Sequence, residues 1–371
     1  MIAPECASVY QAFATTALAH PERPFLNVLP GTAQVYGMEP GEISYGAALH
    51  QVDAYAVAFE EAGYVAGMRV ALLLENRPVF FVIWLALNKL GASVVPINPD
   101  LRAAELEYMI GHAEPALIVA IPSRQEELAA AAQAAGMKLE VIGVEDAIPT
   151  PRGGAVVARD LEGAAREAAI LYTSGTTGQP KGCVLSNTYY LLAGRWYFAL
   201  GGIAQLREDG ERMITPLPIF HMNAMACSFM AMVGVGGCLT VLDRFHPRTW
   251  WADVKAAGAT CLHYLGVMPT MLMGFEPSDA DRDHTVRFGF GAGVDPKLQV
   301  GFEDRFGFPL VEAWAMTETG SGAVIAAASE DRLIAQASIG KPDAAVQCRL
   351  ADDAGQDATQ GELLVRRAGD D

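Results

Sequence analysis

The hydrophobic and polar positions between residues 69 and 142 alternate so that strands and helices are predicted in turn. The predicted strands are 70–74, 92–96, 116–120 and 139–142. The predicted helices are 78–90, 103–112 and 125–135, the first of which begins at a proline and ends before a glycine. Continuous apolar runs of this kind are typical of strands that are covered on both faces. We therefore expect a doubly wound parallel sheet.

A second alternating series follows a Pro- and Gly-rich connection at 148–154 and begins with the apolar run 168–172. Its later strands are predicted at 213–215, 238–242, 260–265, 286–290 and 309–313, with helices between them. Beyond residue 338 the helical pattern fades, and the short segments 346–350 and 362–365 indicate the beginning of a small β element. We predict two α/β lobes at 1–165 and 166–335. Residues 336–371 are predicted to form the start of a third, β-rich lobe.

The composition restricts the class of protein. The 371 residues are 51% hydrophobic and carry a net charge of −17, which argues against binding to nucleic acid or to an anionic membrane surface. The longest apolar stretch, 79–87, is about half the length of a membrane span, and the N-terminus lacks the basic start of a signal peptide. The six cysteines have neither disulfide-like nor zinc-like spacing. We expect a soluble cytoplasmic protein with no integral membrane association.

One loop carries most of the recognisable chemistry. Residues 172–182 read Tyr-Thr-Ser-Gly-Thr-Thr-Gly-Gln-Pro-Lys-Gly, and they lie between an apolar strand and a helix that Ser186 or Asn187 would cap. Glycines let backbone N–H groups approach phosphate oxygens, hydroxyls donate further hydrogen bonds, and lysine supplies a mobile positive charge. A flexible surface turn rarely combines these features, so the loop predicts a triphosphate site.

The loop is not a Walker A motif, which requires the pattern G-x-x-x-x-G-K-[S/T]. Counting from Gly175, the sixth residue is Pro180, and Lys181 is followed by Gly182. A kinase or ATPase of the P-loop class is therefore disfavoured.

The same stretch resembles the phosphate-loop signature of the adenylate-forming superfamily, which includes acyl-CoA synthetases, luciferases and peptide-synthetase adenylation domains. The resemblance implies that the hydroxyls and the lysine contact the β- and γ-phosphates of ATP. The implied nucleotide-binding residues of this loop are Thr173, Ser174, Gly175, Thr176, Thr177, Gly178 and Lys181. The implied fold is the large N-terminal domain of that family, with two doubly wound α/β lobes and the start of a small β-barrel lobe.

A second segment, Glu-Ala-Trp-Ala-Met-Thr-Glu-Thr-Gly at 312–320, resembles the family motif Y-G-x-T-E. Trp314 offers a flat face for a purine, Thr317 a hydroxyl for the α-phosphate, and Glu318 an oxygen ligand for Mg²⁺. By itself the segment is more typical of a helix start. With the first motif, it implies that the nucleotide site also includes Glu312, Ala313, Trp314, Ala315, Met316 and Thr317.

Two further segments fit the same family. The run 289–293 resembles the small-residue strand end beside adenine and the acyl group, which implies binding roles for Gly291, Ala292 and Gly293. An ordinary strand–helix turn is the alternative. The run 216–223 resembles the P-x-F-H gate before the acyl pocket, although His221 could also be a core histidine.

His221 stands where family members that activate amino acids usually carry an aspartate, so an amino-acid substrate is disfavoured. The region from His221 through the loop that contains Pro277 resembles carnitine-type CoA ligases. Ala315 is expected to line the acyl pocket, where its methyl group implies a short- to medium-length or compact branched acid.

The resemblance implies an ATP-dependent carboxylic acid–CoA ligase, which forms an acyl-AMP and then a thioester with CoA. Its implied catalytic residues are Lys181, His221, Thr317 and Glu318, with Mg²⁺ on Glu318. Because the carboxylate is itself the nucleophile, the first step needs alignment and charge neutralisation rather than a general base.

Two alternatives stay open: an acid–AMP ligase that loads a carrier protein, and a non-catalytic nucleotide-binding module. The family's C-terminal lysine-bearing domain has no counterpart in this sequence, so we expect little acyl-AMP formation by these 371 residues alone. The expected partners are a small carboxylic acid, ATP and CoA, and an oligomer is possible.

Overall fold

The computed structural model describes residues 1–157, 161–173, 179–320, 324–344 and 346–367. Along this part of the chain the strands are β1 (Pro24–Val28), β2 (Gly41–Ser44), β3 (Arg69–Leu73), β4 (Ser93–Pro96), β5 (Leu117–Ala120), β6 (Glu140–Ile142), β7 (Glu167–Thr173), β8 (Lys181–Ser186), β9 (Arg212–Thr215), β10 (Cys238–Val241), β11 (Cys261–Leu265), β12 (Phe288–Ala292), β13 (Leu310–Trp314), β14 (Ile325–Ala326), β15 (Val346–Ala351) and β16 (Glu362–Arg367).

The α-helices of the same ranges are α1 (Val9–Ala19), α2 (Pro30–Tyr36), α3 (Tyr45–Ala62), α4 (Val79–Leu90), α5 (Ala103–Ala113), α6 (Gln125–Ala134), α7 (Asn187–Leu200), α8 (Phe229–Val235), α9 (Trp250–Ala256), α10 (Val267–Met273) and α11 (Pro296–Phe306). A π-helix at Asn223–Ser228 leads directly into α8. No helix in the described ranges is long and apolar enough to cross a membrane.

The first sheet has the strand order β6-β5-β3-β4-β7-β8. Its strands are parallel except for β8, which runs antiparallel to β7. The chain leaves the central strand β3 in both directions, so this sheet is doubly wound, as predicted from the apolar runs. The predicted strands and helices between residues 69 and 142 are confirmed, with small shifts at their ends.

The second sheet has the order β14-β13-β12-β11-β9-β10-β1-β2, and its strands from β13 to β1 are parallel. It is also doubly wound, with β9 as the strand from which the chain departs in both directions. The predicted strands at 213–215, 238–242, 260–265, 286–290 and 309–313 all occur here, with shifted ends. By contrast, β15 and β16 form a separate antiparallel pair, and no barrel closes in the described residues.

Membership of the two sheets is interleaved along the sequence. The N-terminal strand β1 pairs with β10 of the second sheet, whereas β7, which we expected to open the second series, pairs with β4 of the first. An apolar run that is buried on both faces suits either sheet, because its pattern does not specify a partner strand. The residue limits assigned to the lobes from sequence stay predictions.

A layer of apolar helices joins the two sheets. Helix α4 follows β3 of the first sheet and α8 precedes β10 of the second, and most of α4 is buried around its whole circumference. The rings of Phe81 in α4 and Phe229 in α8 stack with centroids 4.5 Å apart and an interplanar angle of 6°. Trp84 donates from its indole nitrogen to the Ala168 carbonyl of β7 at 3.1 Å. The sheets therefore share one hydrophobic core.

A buried ion pair fastens three strands of the first sheet. The Arg69 guanidinium in β3 donates from Nε and Nη2 to the two carboxylate oxygens of Glu167 in β7, both at 2.8 Å. Ser93 of β4, the intervening strand, donates to the same carboxylate at 2.5 Å. The Glu167 carboxylate therefore accepts from β4, the adjacent strand, and from β3, the strand beyond it.

We expect Glu167→Leu to lower the free energy of unfolding by about 3–5 kcal/mol, because the Arg69 guanidinium would stay buried without its partner. Urea denaturation measures this change. The control is Asp283→Ala, which breaks the solvent-exposed ion pair with Lys255 and should cost at most about 1 kcal/mol. Equal losses in the two variants would contradict the assignment of Glu167 as a buried anchor.

Candidate functional site

The two ends of the Gly/Thr loop lie side by side at the edge of the first sheet. Thr173, the last residue of β7, is the register partner of Lys181, the first residue of β8. The sequence pattern did not predict β8 as a strand, but α7 does begin at Asn187 with Ser186 as its N-cap. The predicted contacts Ser174, Gly175, Thr176, Thr177 and Gly178 lie outside the described residues.

Helix α5 holds both flanks of this loop. The Tyr108 hydroxyl donates to the Pro180 carbonyl at 3.1 Å, and the Tyr172 hydroxyl lies 2.7 Å from Nδ1 of His112. In β8, Gly182 passes so close to Ile170 of β7 that any side chain at position 182 would meet the Ile170 methyl group. The loop is thus anchored on its helix side by two aromatic hydroxyls.

A single hydrogen bond joins the two sequence motifs. Thr173 donates from Oγ1 to Oε1 of Glu318 at 3.0 Å, although the two residues are 145 positions apart. Burial raises the pKa of the Cys183 thiol in β8, and the nearby Glu318 carboxylate raises it further. The structure therefore brings Thr173, Lys181 and Glu318 together, as the motifs require for a shared site.

The second motif leaves the second sheet at the carboxyl end of β13. Trp314 and Thr317 are half-buried there, whereas Ala315, Met316 and Glu318 are exposed. Their side chains are therefore accessible in the region where Thr173 meets Glu318. Such positions, outside the carboxyl ends of parallel strands, are where ligands usually bind doubly wound folds.

The segment 289–293 approaches its neighbours too closely for side chains. A Cβ at Gly291 would collide with the carbonyl oxygen of Tyr264, and Gly293 adopts a φ of 81°, which favours glycine. At Gly293 a Cβ would meet no atom nearer than the Gly266 nitrogen at 4.0 Å, so the bare backbone there leaves room for a flat group. Ala292 and Gly293 are both exposed.

Glu312 holds this segment in place. Its carboxylate accepts from the backbone N–H of Gly293 at 2.8 Å and of Val294 at 3.2 Å, and it also accepts from the Tyr264 hydroxyl. Burial and the adjacent Glu312 carboxylate raise the pKa of that hydroxyl well above its ordinary value. Since Glu312 is only 6% exposed, we interpret it as a positioning residue for the glycine segment.

The segment with His221 leaves β9, the strand at which the order of the second sheet reverses. Asn76, in the loop after β3, holds it by accepting from the Ile219 N–H at 3.0 Å and donating to the Leu242 carbonyl at 2.7 Å. Sequence reasoning missed Asn76, because a lone asparagine two residues before a proline is usually a turn residue. The first sheet therefore positions a loop of the second.

Phe220 and His221 line a cavity of about 390 Å³ together with Thr173 and Pro180. The imidazole of His221 is exposed, so the alternative of a core histidine is not supported. Even so, loss of solvation within the cleft lowers the pKa of His221 from its ordinary value. This shift favours the uncharged form of the imidazole.

The core histidine of this region is His263, which the sequence did not single out. It lies in β11, is fully buried, and contacts Tyr197, Asn223 and Ser228. Burial lowers the pKa of His263 to about 3. A histidine in an alternating strand is a weak sequence signal, which explains why it was missed.

Comparison with known proteins identifies a matching family and similar proteins. A family model described as AMP-binding enzyme matches residues 13–369. The chain is 28% identical over 339 residues to a crotonobetaine/carnitine–CoA ligase of Salmonella paratyphi A, and 29% identical over 327 residues to one of Shigella flexneri serotype 5b. These matches cover 87% and 84% of the chain but only 64% and 63% of the relatives' lengths. The predicted resemblance to carnitine-type CoA ligases is confirmed.

Solved structures agree on the fold. ATP-bound MatB from Rhodopseudomonas palustris superposes with a TM-score of 0.75 at 23% identity, covering 96% of this chain and 70% of that one. The inhibitor-bound N-terminal domain of FACL13 from Mycobacterium tuberculosis superposes with a TM-score of 0.81 at 21% identity, covering 97% and 89%. The predicted α/β fold class is therefore confirmed.

We expect His263 to make stability depend on acidity. The imidazole is uncharged in both states above pH 6.5, but below that pH the unfolded chain binds a proton that the folded chain excludes. The free energy of unfolding should therefore fall between pH 6.5 and about 3, by up to about 1.4 kcal/mol per pH unit. Urea denaturation at several pH values measures this loss, which His263→Gln should reduce. A His263 NMR titration midpoint near 6.5 would contradict it.

Proposed function

Because this chain belongs to the AMP-binding enzyme family, we propose that it binds ATP and a carboxylic acid in an ATP-dependent acid–CoA ligase. The observation that carries the proposal is the hydrogen bond from Thr173 to Glu318. It joins the end of a hydroxyl- and glycine-rich loop to a carboxylate with an accessible surface, and such a pair suits the phosphates of a nucleotide and their counter-ion.

In the proposed first step, a carboxylate oxygen of the acid attacks the α-phosphorus of ATP. A new C(=O)–O–P bond forms while the bond from the α-phosphorus to the bridging oxygen breaks, which releases pyrophosphate. No proton moves, so the protein's task is to align the reactants and to stabilise the negative charge. Lys181 and the Thr317 hydroxyl are the groups that we assign to the β/γ- and α-phosphates, respectively.

The residues present fit Mg²⁺. Glu318 is exposed, and Thr173 engages only one of its carboxylate oxygens, which leaves the other available as a ligand. The described residues contain no group of three or more His, Cys, Asp or Glu side chains suited to a metal. Protein Mg²⁺ is commonly held by one or two carboxylates together with substrate phosphates. When bound on Glu318, the ion would neutralise phosphate charge.

For the nucleoside, we propose that adenine lies along the bare backbone of Gly291–Gly293 and beside Trp314. The absence of a side chain at the exposed Gly293 provides a flat surface, and the half-buried Trp314 supplies an aromatic face. Glu312 keeps the glycine segment in position through the backbone N–H groups of Gly293 and Val294.

In the proposed second step, the CoA thiol loses its proton to solvent, and its sulfur attacks the acyl carbon and displaces AMP, so that a C–S bond replaces the C–O bond of the acyl-AMP. The choice of CoA follows the relatives, which are themselves CoA ligases. We propose that His221 lies between the cavity that it lines with Phe220 and the reacting carboxylate of the acid. We further propose that Ala315 limits the length of the acyl chain and that the enzyme acts in the cytoplasm.

The proposal is tested by acid-dependent exchange of labelled pyrophosphate into ATP, with a panel of carboxylic acids and the full-length protein. Exchange with at least one acid, followed by acyl-CoA formation when CoA is added, is the expected result. Acyl transfer to a carrier-protein phosphopantetheine but not to CoA would replace the acceptor and leave acyl-AMP formation intact. MgATP binding without exchange for any acid would argue for a nucleotide-binding module.

We expect Lys181→Ala to weaken MgATP binding to this chain by roughly 10- to 150-fold, because the triphosphate loses a charge-assisted hydrogen bond. Isothermal titration calorimetry measures the affinity directly. Lys138→Ala serves as the control, since Lys138 is exposed beyond helix α6 and carries the same charge. Unchanged affinity in the Lys181 variant would remove this lysine from the site.

We expect Glu318→Gln to raise the Mg²⁺ concentration needed for half-maximal pyrophosphate exchange, because the amide keeps the shape of the side chain but not its charge. The thermal unfolding temperature of the Glu318→Gln variant should stay close to that of the wild-type protein. Glu126→Gln, which changes an exposed glutamate at the start of α6, should alter neither quantity. An identical Mg²⁺ dependence in the two variants would make Glu318 a purely structural residue.

A further inference from the structure

Helix α5 is fixed to the first sheet along one face. That buried face packs into the core cluster that also contains Ile170 of β7. The buried residues of the helix are Leu106, Met109, Ile110 and Ala113. Outside this face lie Tyr108 and His112, one helical turn apart, and their rings stack with centroids 5.6 Å apart and an interplanar angle of 21°. The proposed function assigns no role to either ring.

Both rings contact the ends of the Gly/Thr loop, and we call the pair Tyr108 and His112 the α5 clamp. The Tyr108 hydroxyl donates to the Pro180 carbonyl at 3.1 Å. The Tyr172 hydroxyl lies 2.7 Å from Nδ1 of His112 and 3.4 Å from the carbonyl oxygen of Met109. Helix α5 therefore holds the end of β7 by a side chain and the residue before β8 by its backbone carbonyl.

Each residue that the α5 clamp holds is the chain neighbour of a residue in the proposed phosphate site. Tyr172 precedes Thr173, and Pro180 precedes Lys181. Thr173 and Lys181 are themselves register partners across the two strands. Because successive side chains of a strand point to opposite faces, Thr173 faces away from α5 and donates to Glu318. A shift of Tyr172 or Pro180 would therefore move a site residue with it.

Gly182 makes room for the Tyr172 ring to reach α5. It is the register partner of Tyr172 in β8. A Cβ at position 182 would lie 3.2 Å from Cζ and 3.4 Å from the hydroxyl oxygen of Tyr172, and 2.9 Å from Cγ2 of Ile170. Contacts this short would displace the ring from His112. Position 182 therefore needs a glycine for space, and this space lets Tyr172 contact the α5 clamp.

The α5 clamp lies behind the cleft. The cavity of about 390 Å³ is lined by Tyr172, Thr173 and Pro180, among others, whereas Tyr108 and His112 are not among its lining residues. The clamp thus contacts residues that border the cavity and leaves the cavity itself to a ligand. Its two rings can affect a bound ligand only through the residues that they hold.

We propose that the α5 clamp sets the affinity for MgATP by holding Thr173 and Lys181 at the spacing that the β- and γ-phosphates require. Tyr108 and His112 are therefore positioning residues. The proposal rests on the proposed function, which assigns Lys181 to the β- and γ-phosphates and Thr317 to the α-phosphate. Groups that are already held in place lose little conformational freedom when the ligand binds, which strengthens binding. AMP has no β- or γ-phosphate, so its affinity should not depend on the clamp.

Titration calorimetry on the full-length protein, with MgATP and with AMP, measures the two affinities that the proposal separates. We expect Tyr108→Phe to weaken MgATP binding by about 2- to 12-fold, because the Pro180 carbonyl loses one net hydrogen bond. The affinity for AMP should stay within about twofold of that of the wild-type protein.

Tyr55→Phe is the matched control. The Tyr55 hydroxyl in α3 donates to the Val144 carbonyl, also at 3.1 Å, and Tyr55 is half-buried like Tyr108. The two substitutions therefore remove the same kind of hydrogen bond from the protein. The control should change neither nucleotide affinity by more than about twofold.

The second half of the α5 clamp is tested at His112, which is exposed, so that its variants should fold. His112→Leu removes the imidazole partner of the Tyr172 hydroxyl and should weaken MgATP binding by about 2- to 12-fold, without affecting AMP. His112→Asn places a polar amide atom near the position of Nδ1 and should restore the MgATP affinity to within about twofold of wild type.

The outcomes separate the two proposals. If the wild-type protein does not bind MgATP, the proposed function fails and the α5 clamp fails with it. If it binds MgATP and Tyr108→Phe behaves like Tyr55→Phe, the proposed function stands and the clamp is overturned. Equal losses of MgATP and AMP affinity in Tyr108→Phe would also overturn it, because Tyr108 would then support the site as a whole. Equal losses in the leucine and asparagine variants would overturn the hydrogen-bonding role of His112.

Discussion

The packing of helices α4 and α8 against each other is the constraint on which the site depends. Each helix belongs to a different sheet, and the face-to-face contact of Phe81 with Phe229 fixes the distance between them. Helix α4 is apolar around nearly its whole surface, which is characteristic of a helix buried on all sides. Only because the sheets share this core can Thr173, at the end of one sheet, reach Glu318, beyond the end of the other.

Buried polar side chains then fix the conformations of the loops at the ends of the strands. Asn76 bonds to the backbone around Ile219, Glu312 bonds to the backbone of the glycine segment, and His263 bonds to the Asn223 side chain. Each of these polar groups is satisfied by partners within the protein, as burial requires. Because a partly satisfied network would cost stability, each one specifies a single loop conformation. The cleft is therefore preorganised by groups that lie behind it.

Much of the fold could be predicted because local sequence patterns indicate its strands and helices. The apolar runs and the helix-ending glycines placed the elements of the first sheet nearly where the structure has them, and Gly91 ends α4 with a φ of 77°. The composition and order of the hydroxyl- and glycine-rich loop likewise predicted a phosphate site, and this stays a prediction. Prediction was weakest for β1, β7 and β8, since strand pairing over long sequence distances leaves no local signal.

By itself, the sequence determined the type of fold, the family resemblance and the chemical character of the two motifs, because these depend on local pattern and side-chain chemistry. Only the tertiary structure decided which residues meet. It placed Glu312 behind the glycine segment, exposed His221 and buried His263. The physical reason is that burial and hydrogen-bond partnership are properties of contacts between distant segments. Residue types restrict those contacts without specifying them.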